Sequence, residues 1–282
     1  VASDERTESR RHKQVLGLQS QRVYGGAMTA IPLPQSWQDD ATVLGAWMFL
    51  REPVLAEAAG DAGYDYVCID MQHGLASYTD AVAMLQALGR SAAAPVVRVP
   101  WNEPGIIGRV LDAGALGVII PMVNDAQDAE RAVAACRYAP AGSRSFGPVT
   151  AITRHGVQYL GTANEQVACI PMIETVEAVE RIDEILAVPG IDAVYVGPSD
   201  LSLTMGLPPL ADHDDADFLD ALATVVDSCD RNGVVPGVHA SPALAAVRAK
   251  QGFRMITVGF DQMPVMAALR ADLASSQAAV GG

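Results

Sequence analysis

From Val43 onward the chain repeats one alternation, in which short apolar runs rich in Val, Ile and Ala are each followed by a longer amphipathic segment. A strand buried on both faces reads as a continuous apolar run, and a helix packed over it reads with a 3.6-residue period, so this alternation describes βα units around a parallel sheet. Eight runs are predicted as strands: Val43–Met48, Tyr66–Asp70, Pro95–Val99, Gly117–Pro121, Val167–Ile173, Ala193–Val196, Val235–His239 and Met255–Val258. Helices are expected between them near Pro53–Ala62, Tyr78–Leu88, Pro104–Ala113, Ala126–Ala135, Val176–Leu186, Asp214–Arg231 and Pro242–Gln251, with a last one near Pro264–Ala274. Eight units fit a TIM (β/α)8 barrel better than an open doubly wound sheet. Neither Gly-x-Gly-x-x-Gly nor a Walker sequence occurs, so nucleotide cofactors lose support. Without an evident linker, 36–282 reads as one barrel domain, and residues 1 to about 35, aperiodic and rich in charge, Gln and Ser, read as a flexible arm.

The balance of 33 acidic against 19 basic residues gives a net charge of −14, which repels phosphate backbones and anionic membranes. Nucleic acid and membrane are therefore not expected partners. No apolar run approaches the roughly 20 residues of a bilayer span, and the charged N-terminus lacks the apolar core of a signal peptide, so the expectation is a soluble cytoplasmic protein. Cys68, Cys136, Cys169 and Cys229 are scattered without a Cys-x-x-Cys pair and read as buried reduced thiols.

In a barrel the chemistry sits where strands end, so polar residues that terminate apolar runs carry the information. Asp70 ends the second run and His73 follows in Asp70-Met71-Gln72-His73-Gly74. A turn there either brings the carboxylate to the imidazole, fixing the tautomer a general base needs, or leaves a loop histidine beside an Asp cap. Arg98 interrupts the third run, and a guanidinium in that position faces either an internal carboxylate or an anionic substrate oxygen. Glu174 closes the fifth run, and Asp200 lies just beyond the sixth, after Gly197-Pro198-Ser199. Neighbouring strands lie about 4.8 Å apart, so these two carboxylates can converge on one hard divalent cation, Mg²⁺ or Mn²⁺, with Co²⁺ also suited. Asp200 also has the position of a helix-start residue, whose backbone N–H groups would face the same mouth and hold a substrate carboxylate.

Other candidates are weaker. Arg144-Ser145-Phe146-Gly147-Pro148 falls in a long loop suited to a lid, a subunit contact or plain surface, and His239 ends the seventh run either facing the mouth or satisfied in the core. His12, His155 and His213 receive no role, and Asp212-His213-Asp214-Asp215 reads as a solvated helix start. The only lysines are Lys13 and Lys250, neither at the C-terminal end of a strand. If this barrel stabilises an enolate, it does so with a metal and Arg98 instead of a Schiff base.

These motifs resemble the HpcH/HpaI group of metal-dependent (class II) pyruvate aldolases of the 4-hydroxy-2-oxoheptanedioate, or hydroxy-ketoacid, type. The likeness is carried by Ile69-Asp70-Met71-Gln72-His73, Val97-Arg98 with Trp101-Asn102, Leu111-Asp112-Ala113-Gly114, Pro121-Met122-Val123, Ile173-Glu174-Thr175 and Val196-Gly197-Pro198-Ser199-Asp200-Leu201, in family order from about Val43 to Leu273. The resemblance implies a barrel of the phosphoenolpyruvate/pyruvate type whose eighth helix exchanges between subunits, commonly in a trimer of dimers, a homohexamer. It implies Glu174 and Asp200 as metal ligands, and Arg98 as the residue that binds the keto oxygen. His73 with Asp70 matches the acid–base dyad, Asp112 a carboxylate supporting that histidine from a neighbouring subunit, and Gly197, Pro198 and Ser199 the cradle of the substrate carboxylate. The partners it implies are a small 2-oxo acid and an aldehyde. Gln72 stands where many relatives carry Glu, and Met172 where some carry Gln, which makes the floor of the pocket more apolar and bears on substrate choice. Two rival readings are an acyl-CoA lyase of the malyl- or citramalyl-CoA type, disfavoured by the scarcity of basic residues, and a catalytically silent metabolite-binding barrel.

Overall fold

A computed structural model describes residues 30–38 and 41–281. Eight parallel strands close into a barrel in sequence order, each paired with the next and β8 with β1. They are β1 Val43–Met48, β2 Tyr66–Asp70, β3 Ala94–Arg98, β4 Gly117–Ile120, β5 Ala168–Ile173, β6 Ala193–Val196, β7 Val235–His239 and β8 Met255–Phe260. The predicted strands coincide with these to within a residue or two, because each apolar run is buried on both faces and ends where the chain turns polar.

Helices are numbered α1 Leu33–Ser36, α2 Pro53–Asp61, α3 Tyr78–Ala87, α4 Pro104–Asp112, α5 Ala126–Cys136, α6 Val149–His155, α7 Tyr159–Gln166, α8 Val176–Glu180, α9 Ile182–Leu186, α10 Pro198–Thr204, α11 Ala216–Asn232, α12 Ala245–Lys250 and α13 Gln262–Val280. Their starts are written in the sequence. Ser77 and Asp80 form a reciprocal capping box at α3, while Asp125, Thr175 and Asp215 cap α5, α8 and α11.

Three stretches depart from expectation. The loop between β4 and β5 contains α6 and α7, which pack Ala151, Tyr159 and Ala163 with Tyr138 into a small cluster of their own. The single helix expected over Val176–Leu186 breaks at Arg181, whose φ of −108° and ψ of 17° are not helical. The last helix runs to Val280 and buries none of its residues.

Two apolar layers build the core. The barrel interior is filled by Trp47, Tyr66, Cys68, Val96, Ile119, Ile170, Met172, Tyr195 and Met255, and a second layer lies between strands and helices. Gly45 is required for the first layer, since a Cβ there would stand 2.0 Å from the Tyr66 ring. Of the expected arm, residues 1–29 lie outside the described residues, but its end is built in. Leu33 and Trp37 are buried in the interior cluster, the Arg254 guanidinium donates to the Trp37 carbonyl oxygen, and the Ile31 N–H donates to Ala92 ahead of β3. These residues plug the N-terminal end of the barrel, leaving the opposite mouth as the accessible one. All four cysteines are buried thiols. Among the described residues no helix is long and apolar enough to cross a membrane.

Candidate active site

At the C-terminal mouth a cavity of about 210 Å³ is lined by Phe49, His73, Arg98, Met172, Gly197, Pro198, Ser199, Asp200, Ala211 and His239. Six different strand ends or βα connections contribute, as barrel geometry requires.

Arg98 ends β3 directly opposite Asp70 at the end of β2. Its Nε donates to Asp70 Oδ1 at 2.9 Å and its Nη2 to Oδ2. Trp47 Nε1 also donates to Oδ2, at 3.3 Å, and the backbone N–H groups of Gln72 and His73 donate to Oδ1 at 2.9 and 3.2 Å. Burial raises the Asp70 carboxyl, but the Arg98 guanidinium and the two N–H groups more than offset it and hold the group below the usual carboxylate range. Asp70 is thus an anchor for Arg98 and for the turn. The carboxylate–imidazole pairing expected of Asp70 and His73 is not the arrangement formed, because all of these donors converge on one carboxylate; only the His73 backbone reaches it. The His73 ring is exposed at the rim.

Glu174 follows the last residue of β5 and is buried. Its Oε1 accepts the Met122 N–H at 2.8 Å, while Oε2 is buried without a partner. Met122 presents that N–H from a left-handed conformation, φ 55°, unusual for a residue other than glycine. Burial pushes the Glu174 carboxyl up to about 7; the Met122 N–H opposes this, Asp200 adds to it and Arg98 opposes it. A Cβ on Gly197 would stand 2.7 Å from Glu174 Oε2 and 3.0 Å from Met172 Cε, so the missing side chain makes room at that oxygen. Asp200, half-buried, sits in the first turn of α10, whose start has no side-chain cap.

An unpartnered buried carboxylate oxygen, a second carboxylate interacting with it and a glycine-made gap fit a hard divalent cation. Among the described residues no group of three His, Cys, Asp or Glu side chains converges as a ready-made metal cluster. The donor set therefore suits an ion that completes its shell with water and substrate oxygens.

Asp112 ends α4 away from this mouth. It accepts from Arg144 Nη2 at 2.7 Å, and Arg144, stacked over the Tyr138 ring at 4.4 Å, also donates to the Tyr159 hydroxyl at 3.2 Å. Within one chain Asp112 and His73 line separate cavities. The buried Arg144 thereby acquires a structural partner that the loop sequence alone does not name.

Four contributors are not legible as site residues in the sequence. Trp47 and Tyr195 look like ordinary strand hydrophobics, Met122 acts through its backbone, and Asp261 accepts the N–H groups of Phe49 and Leu50 at 2.9 and 2.8 Å across the β1 end.

The profile of the HpcH/HpaI aldolase/citrate lyase family matches residues 44–268. A hydroxypyruvate/pyruvate aldolase of Rhizorhabdus wittichii is 40% identical over 243 residues, spanning 86% of this chain and 97% of that protein. A 2-keto-3-deoxy-L-rhamnonate aldolase of Salmonella gallinarum is 33% identical over 256 residues, spanning 88% and 94%. The crystal structure of an HpcH/HpaI aldolase/citrate lyase family protein from Burkholderia cenocepacia superposes with a TM-score of 0.80 at 35% identity, covering 87% of this chain and 98% of that one.

Proposed function

Because the chain belongs to the HpcH/HpaI aldolase/citrate lyase family and is a carbon–carbon lyase of the aldolase kind, we propose that it cleaves and forms 4-hydroxy-2-oxo acids, exchanging them with pyruvate or a related 2-oxo acid and an aldehyde. The observation that carries this reading is the buried Glu174 Oε2, left without a protein partner at a mouth that also holds Asp200 and Arg98.

In this reading Glu174 and Asp200 hold the cation, Mg²⁺ or Mn²⁺ with Co²⁺ also suited. A cation bound there supplies a Lewis acid for the 2-oxo group and for the charge that builds on its oxygen. Arg98 spends Nε and Nη2 on Asp70 and keeps Nη1 for the substrate oxo group, a donor fixed in advance where enolate charge develops. The N–H groups at the start of α10, after Gly197 and Pro198, orient the substrate carboxylate, and Met172 forms an apolar floor. For cleavage, the His73 imidazole takes the proton of the 4-hydroxyl, the C3–C4 bond breaks, its electron pair passes into the enolate, the aldehyde leaves, and C3 of the enolate takes up a proton to give the 2-oxo acid. Condensation reverses these steps.

The oligomer belongs to the same proposal. Helix α13 exposes Met263, Leu269 and Leu273 at 67%, 65% and 59%, and none of its residues is fully buried. An apolar helix of this kind is stabilised by a second copy, as in the trimer of dimers of the resemblance, and such packing would bring a partner's Asp112 towards His73.

Pyruvate release from a panel of 4-hydroxy-2-oxo acids, after EDTA treatment and again with Mn²⁺ restored, tests the reading. Activity lost and regained supports it. Turnover indifferent to EDTA removes the metal step, and coenzyme A thioester cleavage without aldolase activity points to the acyl-CoA lyase instead.

A further inference from the structure

His239 closes β7 and its ring lines the mouth cavity beside Arg98, Met172 and Phe49, yet nothing in the aldol chemistry above uses it. Its environment fixes which nitrogen carries the proton. Nδ1 lies 3.0 Å from the Tyr195 hydroxyl oxygen. That hydroxyl donates its proton to Thr257 Oγ1 at 2.5 Å, and Thr257 shares a further bond of 2.8 Å with the Tyr66 hydroxyl. A phenol has one proton, so the Tyr195 oxygen can only accept from His239. Nδ1 therefore donates, and in a neutral ring Nε2 holds the lone pair.

The ring is neutral. Burial lowers its pKa to about 3, the Arg98 charge pushing the same way and Asp70 opposing. It is also held in place, with Trp47 edge-on at 4.5 Å between centroids and Phe260 at 5.1 Å. Nε2 bonds none of the described residues. A fixed neutral imidazole that offers a lone pair into a cavity selects for an O–H group and gives nothing to a carboxylate, an aldehyde oxygen or a methyl group.

We infer that His239 is a specificity-determining residue whose Nε2 accepts a hydrogen bond from a hydroxyl group of the substrate. The inference rests on the aldolase reading and names the class of substrate that this site prefers. The hydroxyl has two sources: C3 of the 2-oxo acid, as in hydroxypyruvate against pyruvate, or the carbon beside the aldehyde, as in glycolaldehyde against acetaldehyde.

The test is the ratio of kcat/KM for hydroxylated over deoxy substrate, measured in both arms for the wild type, His239→Leu, His239→Gln and Tyr195→Phe. A ratio is independent of how much of a variant is folded. H239L is expected to lower it about tenfold in one arm, the worth of one hydrogen bond, and the affected arm identifies the source. H239Q, which keeps an acceptor oxygen, should recover part of the loss, and Y195F, which frees the tautomer, should lower the ratio less than H239L. An unchanged ratio in both arms for H239L overturns the inference while leaving the aldolase reading intact. Absence of turnover by the wild type on every pair overturns the aldolase reading itself.

Discussion

Arg98 and Asp70 face each other at matching positions of adjacent strands and are joined by two hydrogen bonds inside the barrel, one of them 2.9 Å from Nε to Oδ1. The pairing fixes the plane of the guanidinium, and Arg98 lines the mouth cavity. Arg98→Lys keeps the charge but loses the fork, so kcat is expected to fall about 10²–10³-fold, the usual cost of a misplaced donor at developing negative charge. Asp70→Ala leaves the guanidinium buried and unpaired and should destabilise the fold by about 3–5 kcal/mol. Steady-state kinetics and urea titration of the two variants separate these effects, and an R98K enzyme with wild-type kcat would remove Arg98 from the chemistry.

Most of the barrel is legible in the sequence because a parallel strand covered on both sides leaves a short continuous apolar run, repeated here eight times between amphipathic segments: Val194-Tyr195-Val196 and Val96-Val97 have no polar face. The carboxylates are legible for a related reason, since Glu174 and Asp200 stand where such runs stop. What the sequence does not carry is pairing. Asp70 lies three residues from His73 and 28 from Arg98, and only strand register makes the distant partner the near one. The Met122 N–H and the proton on His239 depend on backbone angle and on a hydroxyl chain spanning three strands, so no local pattern encodes them.

Gly197 offers a sharper test of the Glu174 pocket. Gly197→Ala places a methyl group 2.7 Å from Glu174 Oε2 and 3.0 Å from Met172 Cε, and its surroundings are packed. The variant should lose about 1–3 kcal/mol of stability and bind Mn²⁺ more weakly, because the oxygen must move. Isothermal titration with Mn²⁺ checks the second expectation; an affinity equal to wild type would show that Oε2 is not at the metal.

Acid should weaken the protein in two separable windows. The His239 pKa falls from 6.5 to about 3 on folding, so its contribution is whole above pH 6.5 and is lost as pH drops towards 3, where the unfolded chain binds a proton the folded one refuses. Asp70 is also lowered, from an ordinary value of 3.8, so its contribution is present above that value and disappears below it. Melting temperatures from pH 8 to pH 3 should fall more gently between 6.5 and 4 for H239L than for wild type, whereas D70N should differ in slope only below about 4. Parallel curves for H239L and wild type over the upper window would contradict the buried neutral imidazole.

Helix α13 gives an assembly prediction. Leu269→Glu changes an apolar side chain that is 65% exposed on a helix with no buried residue, so a monomer should be nearly indifferent to it. In an assembly built by exchanging this helix, the charge would be buried against the partner and the complex should dissociate, with activity falling in step if Asp112 of one copy serves His73 of another. Sedimentation velocity at several concentrations reads the first effect, and mixing L269E with Asp112→Asn protein leaves the second unrescued.

Without a cation, Glu174 is a cost to the fold: its carboxyl is buried, Oε2 has no partner, and burial raises its pKa to about 7. Glu174→Gln removes the charge with little change of shape, so the metal-free variant should melt no lower than the metal-free wild type. Saturation reverses the order. A ligand at about 100 times its Kd adds about 2.7 kcal/mol to the folded state, which raises Tm by about 5–10 °C in a domain of this size. Differential scanning calorimetry with EDTA and then with Mn²⁺ should show that rise for wild type and not for E174Q. The same rise in both proteins would mean that the cation binds elsewhere, and a much lower metal-free Tm for E174Q would mean that the Met122 N–H to Glu174 bond, and not a vacant metal position, is what that carboxylate is for.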